Sequence, residues 1–197
     1  ELRITAQVVN NGGGSTAGII KEGAGVMELA NDNNTYDGNT TISAGTLEIG
    51  GAGQLGSGTY AGAISNSGIF EYNSSAAQTL SGVISGAGSV LKDNTGTLTL
   101  TANNNFSGGT TVDGGTLQLT VDGRIGNGGL TVNNGGTFSI ANDDFNSLGG
   151  AITVNEGGTL STDSTGNNAH NIGAITLNGG TLSSSGATWT EGNWIFN

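Results

Sequence analysis

Lys92-Asp93-Asn94-Thr95-Gly96-Thr97-Leu98-Thr99-Leu100 begins as a polar turn and, after Gly96, becomes a strict alternation of hydroxyl and aliphatic side chains. A period of two marks a strand with one face buried. Leu98 and Leu100 are therefore expected inside, with Thr97, Thr99 and Thr101 toward water. The same pattern stands 71 residues earlier in Lys21-Glu22-Gly23-Ala24-Gly25-Val26-Met27-Glu28-Leu29, where Met27 takes the place of Leu98 and is expected in the core.

One extra residue near Thr35 shortens the offset to 70. Tyr36-Asp37-Gly38-Asn39-Thr40-Thr41-Ile42 then lies over Phe106-Ser107-Gly108-Gly109-Thr110-Thr111-Val112, and Gly45-Thr46-Leu47-Glu48-Ile49 over Gly115-Thr116-Leu117-Gln118-Leu119. Gln54-Leu55-Gly56 continues over Arg124-Ile125-Gly126, and a two-residue gap brings Ile64 over Val132, Phe70 over Phe138 and Tyr72 over Ile140. A unit of about 70 residues thus occurs twice, with slips confined to Gly-, Asn- and Thr-rich loops that a solenoid tolerates. Tyr36 and Phe106, equivalent in the two copies, are expected to cap a coil-to-coil loop.

A shorter beat runs inside the unit. Glycines that open an alternating strand fall at positions 25, 45, 68, 96, 115, 136, 158 and 180, at intervals of 20, 23, 28, 19, 21, 22 and 22 residues. About 22 residues then make one turn of a right-handed parallel β-helix, an all-β solenoid of eight or nine coils, on the order of 40 Å long at ~4.8 Å per stacked strand. Residues 1–197 are expected to form a single such domain. The turns agree: Asn133-Asn134-Gly135-Gly136, Asn155-Glu156-Gly157-Gly158 and Asn178-Gly179-Gly180 place residues that tolerate left-handed backbone where the chain bends. Stacked coils would bring Asn over Asn and Thr over Thr as side-chain ladders.

Composition supports a paired sheet. Gly, Thr, Asn and Ser supply 107 of the 197 residues, which alone could describe a linker, yet aliphatics alternate throughout and Pro is absent. Pro cannot donate to a ladder, whereas disordered Gly/Ser-rich chains accumulate it. A net charge of −11, with Arg3, Lys21, Lys92 and Arg124 against fifteen acids, repels phosphate backbones, so no nucleic-acid partner is expected. No apolar run is long enough to cross a bilayer as a helix, and no membrane insertion is expected of this segment. With no Cys there is neither disulfide nor thiol chemistry. Glu1-Leu2-Arg3 lacks an initiator Met and a signal pattern, which suggests a processed or excised fragment rather than a whole gene product.

The stretches 21–49 and 92–119 resemble the passenger-associated transport repeat of bacterial autotransporters. Lys92, Gly96, Leu98, Leu100, Asn105, Phe106, Gly108, Thr110, Gly115, Thr116, Leu117 and Leu119 carry the resemblance; the first copy departs at Met27, near Thr35 and at Asn39. The resemblance covers about sixty residues and implies type V secretion by a Gram-negative bacterium, through the protein's own C-terminal outer-membrane β-barrel, with folding as a β-helix at the cell surface.

Candidate chemistry is sparse, and no catalytic, cofactor or metal site is expected. His170 sits in a polar stretch, Ser164 to Asn171, without a second His. Asp143 and Asp144 are adjacent, so on a strand they would face opposite sides and could not share a task. Gly51-Ala52-Gly53 and Gly86-Ala87-Gly88 lack the Lys-Ser/Thr and the helix of a phosphate loop and read as turns. Trp189, Trp194, Ile195 and Phe196 would pack on the last coil or on whatever follows it. The favoured reading is a structural and adhesive stalk that aids secretion and contacts host or bacterial surface molecules or itself. A polysaccharide-active β-helix enzyme would need clustered acids with a base on one face. An ice- or crystal-binding solenoid would need Thr-x-Thr over many coils, which Thr97-Leu98-Thr99 offers once.

Overall fold

The computed structural model describes residues 1–10, 16–120, 122–141, 148, 150–162, 169–170, 174–184, 188–189 and 194–196. Every described ladder between strands is parallel, and strands of successive coils lie side by side in three larger sheets and one pair, Ala169–His170 with Thr188–Trp189. Ten strands from Leu2–Ile4 to Trp194–Phe196 form the longest sheet, and seven from Thr59–Tyr60 to Thr181–Ser184 form the second. The third has four, Ile19–Lys21, Thr40–Ile42, Ile64–Asn66 and Ile84–Ser85. The architecture is the expected all-β solenoid of eight to nine coils. A coil takes from 19 residues, as Ile175 pairs with Trp194, to 25, as Leu2 pairs with Met27.

Alternation fills the interior. Leu47, Phe70 and Val90 pair in sequence across the long sheet, and Leu98, Leu117, Phe138 and Leu160 across the second, all shut from solvent. Stacked apolar columns bury each side chain against its counterparts one coil above and below, which is how a chain with so few large residues builds a continuous core. Tyr36 and Phe106 belong to this core: both are fully buried rather than capping a loop. Met27 is only half-buried, because its coil is next to the outermost and Leu2 beyond it is exposed.

The corners explain the glycines. A Cβ on Gly45 would strike the carbonyl oxygen of Gly25; on Gly68, that of Gly45; on Gly88, that of Gly68; on Gly108, that of Gly88. Stacked coils approach too closely at this corner for any side chain. The same column exposes a slip in the beat. The glycines at 25, 45 and 68 open strands of the ten-stranded sheet, whereas those at 96, 115, 136, 158 and 180 precede strands of the seven-stranded one. The interval of 28 is one coil plus one side of the coil, and the long sheet continues through Gly88 instead.

The 70-residue repeat inherits that slip. Val26 pairs with Thr46, Thr46 with Ile69 and Ile69 with Ser89, so three coils carry Val26 to Ser89. Its counterpart in the repeat, Thr97, lies one side further round. The second copy is therefore the first advanced by three coils and rotated by one side.

Candidate functional site

Two lysines lie inside the rod, Lys21 at 5% and Lys92 at 0% exposure. Each ends a strand and turns its ammonium back under the corner that follows. Lys92 Nζ donates to the carbonyls of Asp93 (2.6 Å), Asn94 (2.9 Å) and, one coil on, Gly114 (3.1 Å). Lys21 Nζ donates to Glu22 (2.9 Å), Gly23 (2.6 Å) and Ala44 (3.0 Å), the equivalent carbonyls. Three ammonium protons meet three carbonyls, so the buried charge is fully hydrogen-bonded. Lys92 also lies 5.8 Å from the centre of the Tyr72 ring. Burial pulls its pKa down to about 8, opposed by the neighbouring Asp93. The turn residue inside each clasp has left-handed backbone, Gly23 at φ 72° and Asn94 at φ 61°. Glycine accepts that conformation freely and Asn is among the few others that tolerate it.

A second fastener was not among the sequence candidates. Asn104 Oδ1 accepts from Ile84 N in the coil before (2.7 Å), and its Nδ2 donates to Arg124 O in the coil after (2.6 Å). Asn34 does the same between Val8 N (2.9 Å) and Gln54 O (3.0 Å). Each buried amide thus ties three coils together. The signal was present in the sequence, since 34 and 104 coincide at the 70-residue offset, but the neighbouring Asn105 drew the alignment. The copies differ at one polar point. Thr40 Oγ1 bonds the hydroxyls of Tyr36 (3.0 Å) and Tyr60 (2.8 Å), whereas its counterpart Thr110 faces a core where Phe106 has no hydroxyl, and its buried Oγ1 has no partner.

On the outside, the middle column of the ten-stranded sheet runs Arg3, Glu28, Glu48, Glu71, Leu91, Thr111, Thr131, Thr153 and Thr176. Arg3 Nε pairs with Glu28 Oε2 at 2.7 Å, and Asn73 Nδ2 donates to Glu48 at 2.9 Å. Glu71 is pushed above the usual carboxylate range by partial burial and then by the charges of Glu48, Asp93 and Asp113. At the next corner the expected amide ladder is present: Asn178 donates to Asn155 (3.1 Å), Asn155 to Asn133 (2.6 Å) and Asn133 to the carboxylate of Asp113 (2.6 Å). A groove of about 370 Å³ follows Thr111, Thr131 and Thr153, with Gly128, Gly129 and Gly150 in its wall.

Register revises the threonine count. Thr97, Thr116, Thr137, Thr159 and Thr181 form one column over five consecutive coils of the seven-stranded sheet. Variable coil lengths hide this column from a reading at fixed spacing. Two positions on, however, the column reads Thr99, Gln118, Ser139, Ser161 and Ser183, with Ser139 and Ser161 buried, so no second open column of threonines accompanies it.

The remaining sequence candidates do not converge. His170 stands in a short strand, Ala169–His170, paired with Thr188–Trp189, rather than in a loop. Trp194 begins the last strand of the long sheet, in register with Ile175. Asp143 and Asp144 lie outside the described residues. Among the described residues no group of three or more His, Cys, Asp or Glu is placed to hold a metal.

Comparison with known proteins gives a family and a relative. Residues 19–49 and 90–119 match the passenger-associated-transport-repeat family, and these ranges contain both stretches on which the resemblance was read. Over 86 residues, 44% of this chain, the sequence is 42% identical to the adhesin BmaC autotransporter of Brucella suis biovar 1. The aligned part spans about 2% of that relative's length. No solved structure matches the chain.

Proposed function

From the premise that this chain is a segment of an autotransporter passenger, we propose that it works as a stiff stalk that makes weak, repeated contacts along its length. Passengers of this kind are secreted to the Gram-negative cell surface and anchored in the outer membrane. In the full-length protein a C-terminal outer-membrane barrel would be the segment's partner in secretion. The adhesin character of the Brucella relative supports a non-enzymatic, contact-making role.

The observation that carries the reading is the outer face of the long sheet from Thr111 onward. Four threonines stack in register beside the ladder of Asp113, Asn133, Asn155 and Asn178, on a backbone held by continuous parallel pairing. Such a face offers hydrogen-bonding groups at ~4.8 Å intervals with little charge. Single contacts would be feeble, and many copies on one cell would sum them by avidity. Host or bacterial surface molecules and other copies of the rod are the partners that fit. Cells displaying the passenger should clump or adhere more than cells whose residues 21–140 are replaced by an inert spacer of equal length. Preserved secretion with unchanged clumping and adhesion would refute the contact role.

A further inference from the structure

We propose that the transport repeat is a transferable corner module, fastened from inside by its lysine and its buried asparagine, whose copies share internal contacts rather than a presented surface. This stands whether or not the rod adheres.

The contacts repeat residue for residue although the sides do not. In the first copy the lysine corner leads from the four-stranded into the ten-stranded sheet; in the second it leads from the ten-stranded into the seven-stranded one. Even so, Lys21 and Lys92 hold equivalent carbonyls, and Asn34 and Asn104 bracket equivalent coils. A Cβ on Gly45 would collide with the carbonyls of Gly25 and Gly23, and one on Gly115 with those of Gly96 and Asn94, the corresponding pair. A unit that rebuilds the same corner between different sheets takes its geometry from its own residues, not from the side on which it sits. What faces out differs in direction and in part in kind: Thr41 and Thr46 keep their type as Thr111 and Thr116, but Glu28 corresponds to Thr99 and Glu48 to Gln118. A partner reading the folded rod would meet the two copies on different sides, with the strand carboxylates Glu28 and Glu48 of the first absent from the second.

The lysine fastens the corner through its hydrogen-bond donors. An ammonium supplies three protons and no acceptor, matching three carbonyls; a neutral isostere supplies none. With a pKa near 8, Lys92 remains mostly ammonium at neutral pH.

The test uses the 197-residue chain. In one variant residues 92–119 are replaced by the sequence of 21–49; in another, Lys92→Met keeps the stem but not the charge. Readouts are the urea midpoint by far-UV circular dichroism and hydrogen exchange at the amides of Gly96, Asp113 and Thr116, which bond Ser74, Lys92 and Gly96. The swap is expected to keep the midpoint and slow exchange, and Lys92→Met to accelerate exchange at these amides about tenfold or more, as loss of a charge-assisted bond predicts. An unfolded swap overturns portability, and wild-type exchange in Lys92→Met overturns the clasp. If Lys92→Met does not fold, Lys21→Met decides: faster exchange at Ser43 and Thr46, which bond Lys21 and Gly25, supports the clasp, and unchanged exchange there overturns it.

Discussion

One substitution made at equivalent places in the two repeats should have opposite signs. Thr40 and Thr110 are both buried, at 0% and 2% exposure. Valine has nearly the shape of threonine, so Thr→Val tests the hydroxyl and little else. At Thr40 the hydroxyl joins two phenols, and removing it takes one hydrogen bond from each, leaving Tyr36 beside the Tyr60 hydroxyl and Tyr60 with its bond to Gly38 O. A buried hydrogen bond contributes about 0.5–1.5 kcal/mol, so Thr40→Val, which loses two, should destabilise by about 1–3 kcal/mol. At Thr110 the hydroxyl already lacks a partner, and replacing it with a methyl relieves a desolvation penalty of about 1–3 kcal/mol. Thr110→Val should leave stability unchanged or raise it. Urea denaturation of both variants by far-UV circular dichroism, with equal slopes so that midpoints compare directly, measures the contrast. Destabilisation of similar size at both sites would refute the account of the Tyr36 to Phe106 difference.

Other expectations follow from burial and charge. Leu117→Ala removes three buried carbons between Leu98 and Phe138; at ~0.8 kcal/mol each plus a cavity term the loss is about 3 kcal/mol, and under about 1 kcal/mol in urea denaturation would place Leu117 outside the core. Because the folded pKa of Glu71 is raised, the group favours folding at low pH and loses that contribution as pH rises through the folded pKa. Glu71→Gln should therefore stabilise at neutral pH, with the gain shrinking toward pH 4.5, its ordinary pKa. For Lys92 the folded pKa of about 8 lies below the ordinary 10.5, so the unfolded chain holds more protons between them. Wild type should gain stability relative to Lys92→Met as pH rises across that window, and a falling difference would contradict the direction of the shift.

The strands and much of the core were legible because period two survives in short windows: Leu47, Ile49, Leu117 and Leu119 are buried as the alternation requires. The amide ladder was legible from Asn-Gly turns recurring at one coil's spacing. The side on which each strand lies was not. Glycine opens the strands of different sheets with the same local pattern, so Gly68 and Gly96 look consecutive although Gly88 intervenes at the first corner. Tyr36 and Phe106 were misplaced for a related reason: they follow polar Asn-rich stretches, and burial there comes from neighbouring coils, which a local window does not contain. The lysine clasp was hidden by residue type, since an isolated Lys in a polar turn reads as a solvated charge until the third carbonyl arrives from the next coil.

The rod's outer surface is also divided along its length. On the long sheet the outward column is acidic through Glu28, Glu48 and Glu71, then neutral through Thr111, Thr131, Thr153 and Thr176. Carboxylates stacked at one coil's spacing repel one another, and here Arg3, Asn73 and the raised pKa of Glu71 absorb part of that repulsion. After Glu71 the column passes to Leu91 and Thr111, and Thr99 and Gln118, the neutral counterparts of Glu28 and Glu48, lie on the seven-stranded sheet. The net charge of −11 and a role in contact therefore need not oppose each other, because the repelling groups of this face gather in its first coils. Contact should then reside in the later coils. Changing Thr111, Thr131 and Thr153 together to Glu in the displayed passenger extends the acidic column across the neutral half, and is expected to reduce clumping or adhesion at low ionic strength, with recovery as salt screens the added charge. Neutralising Glu48 and Glu71 to Gln should reduce neither. Equal loss from both sets, or from the second alone, would place the contact surface elsewhere on the rod.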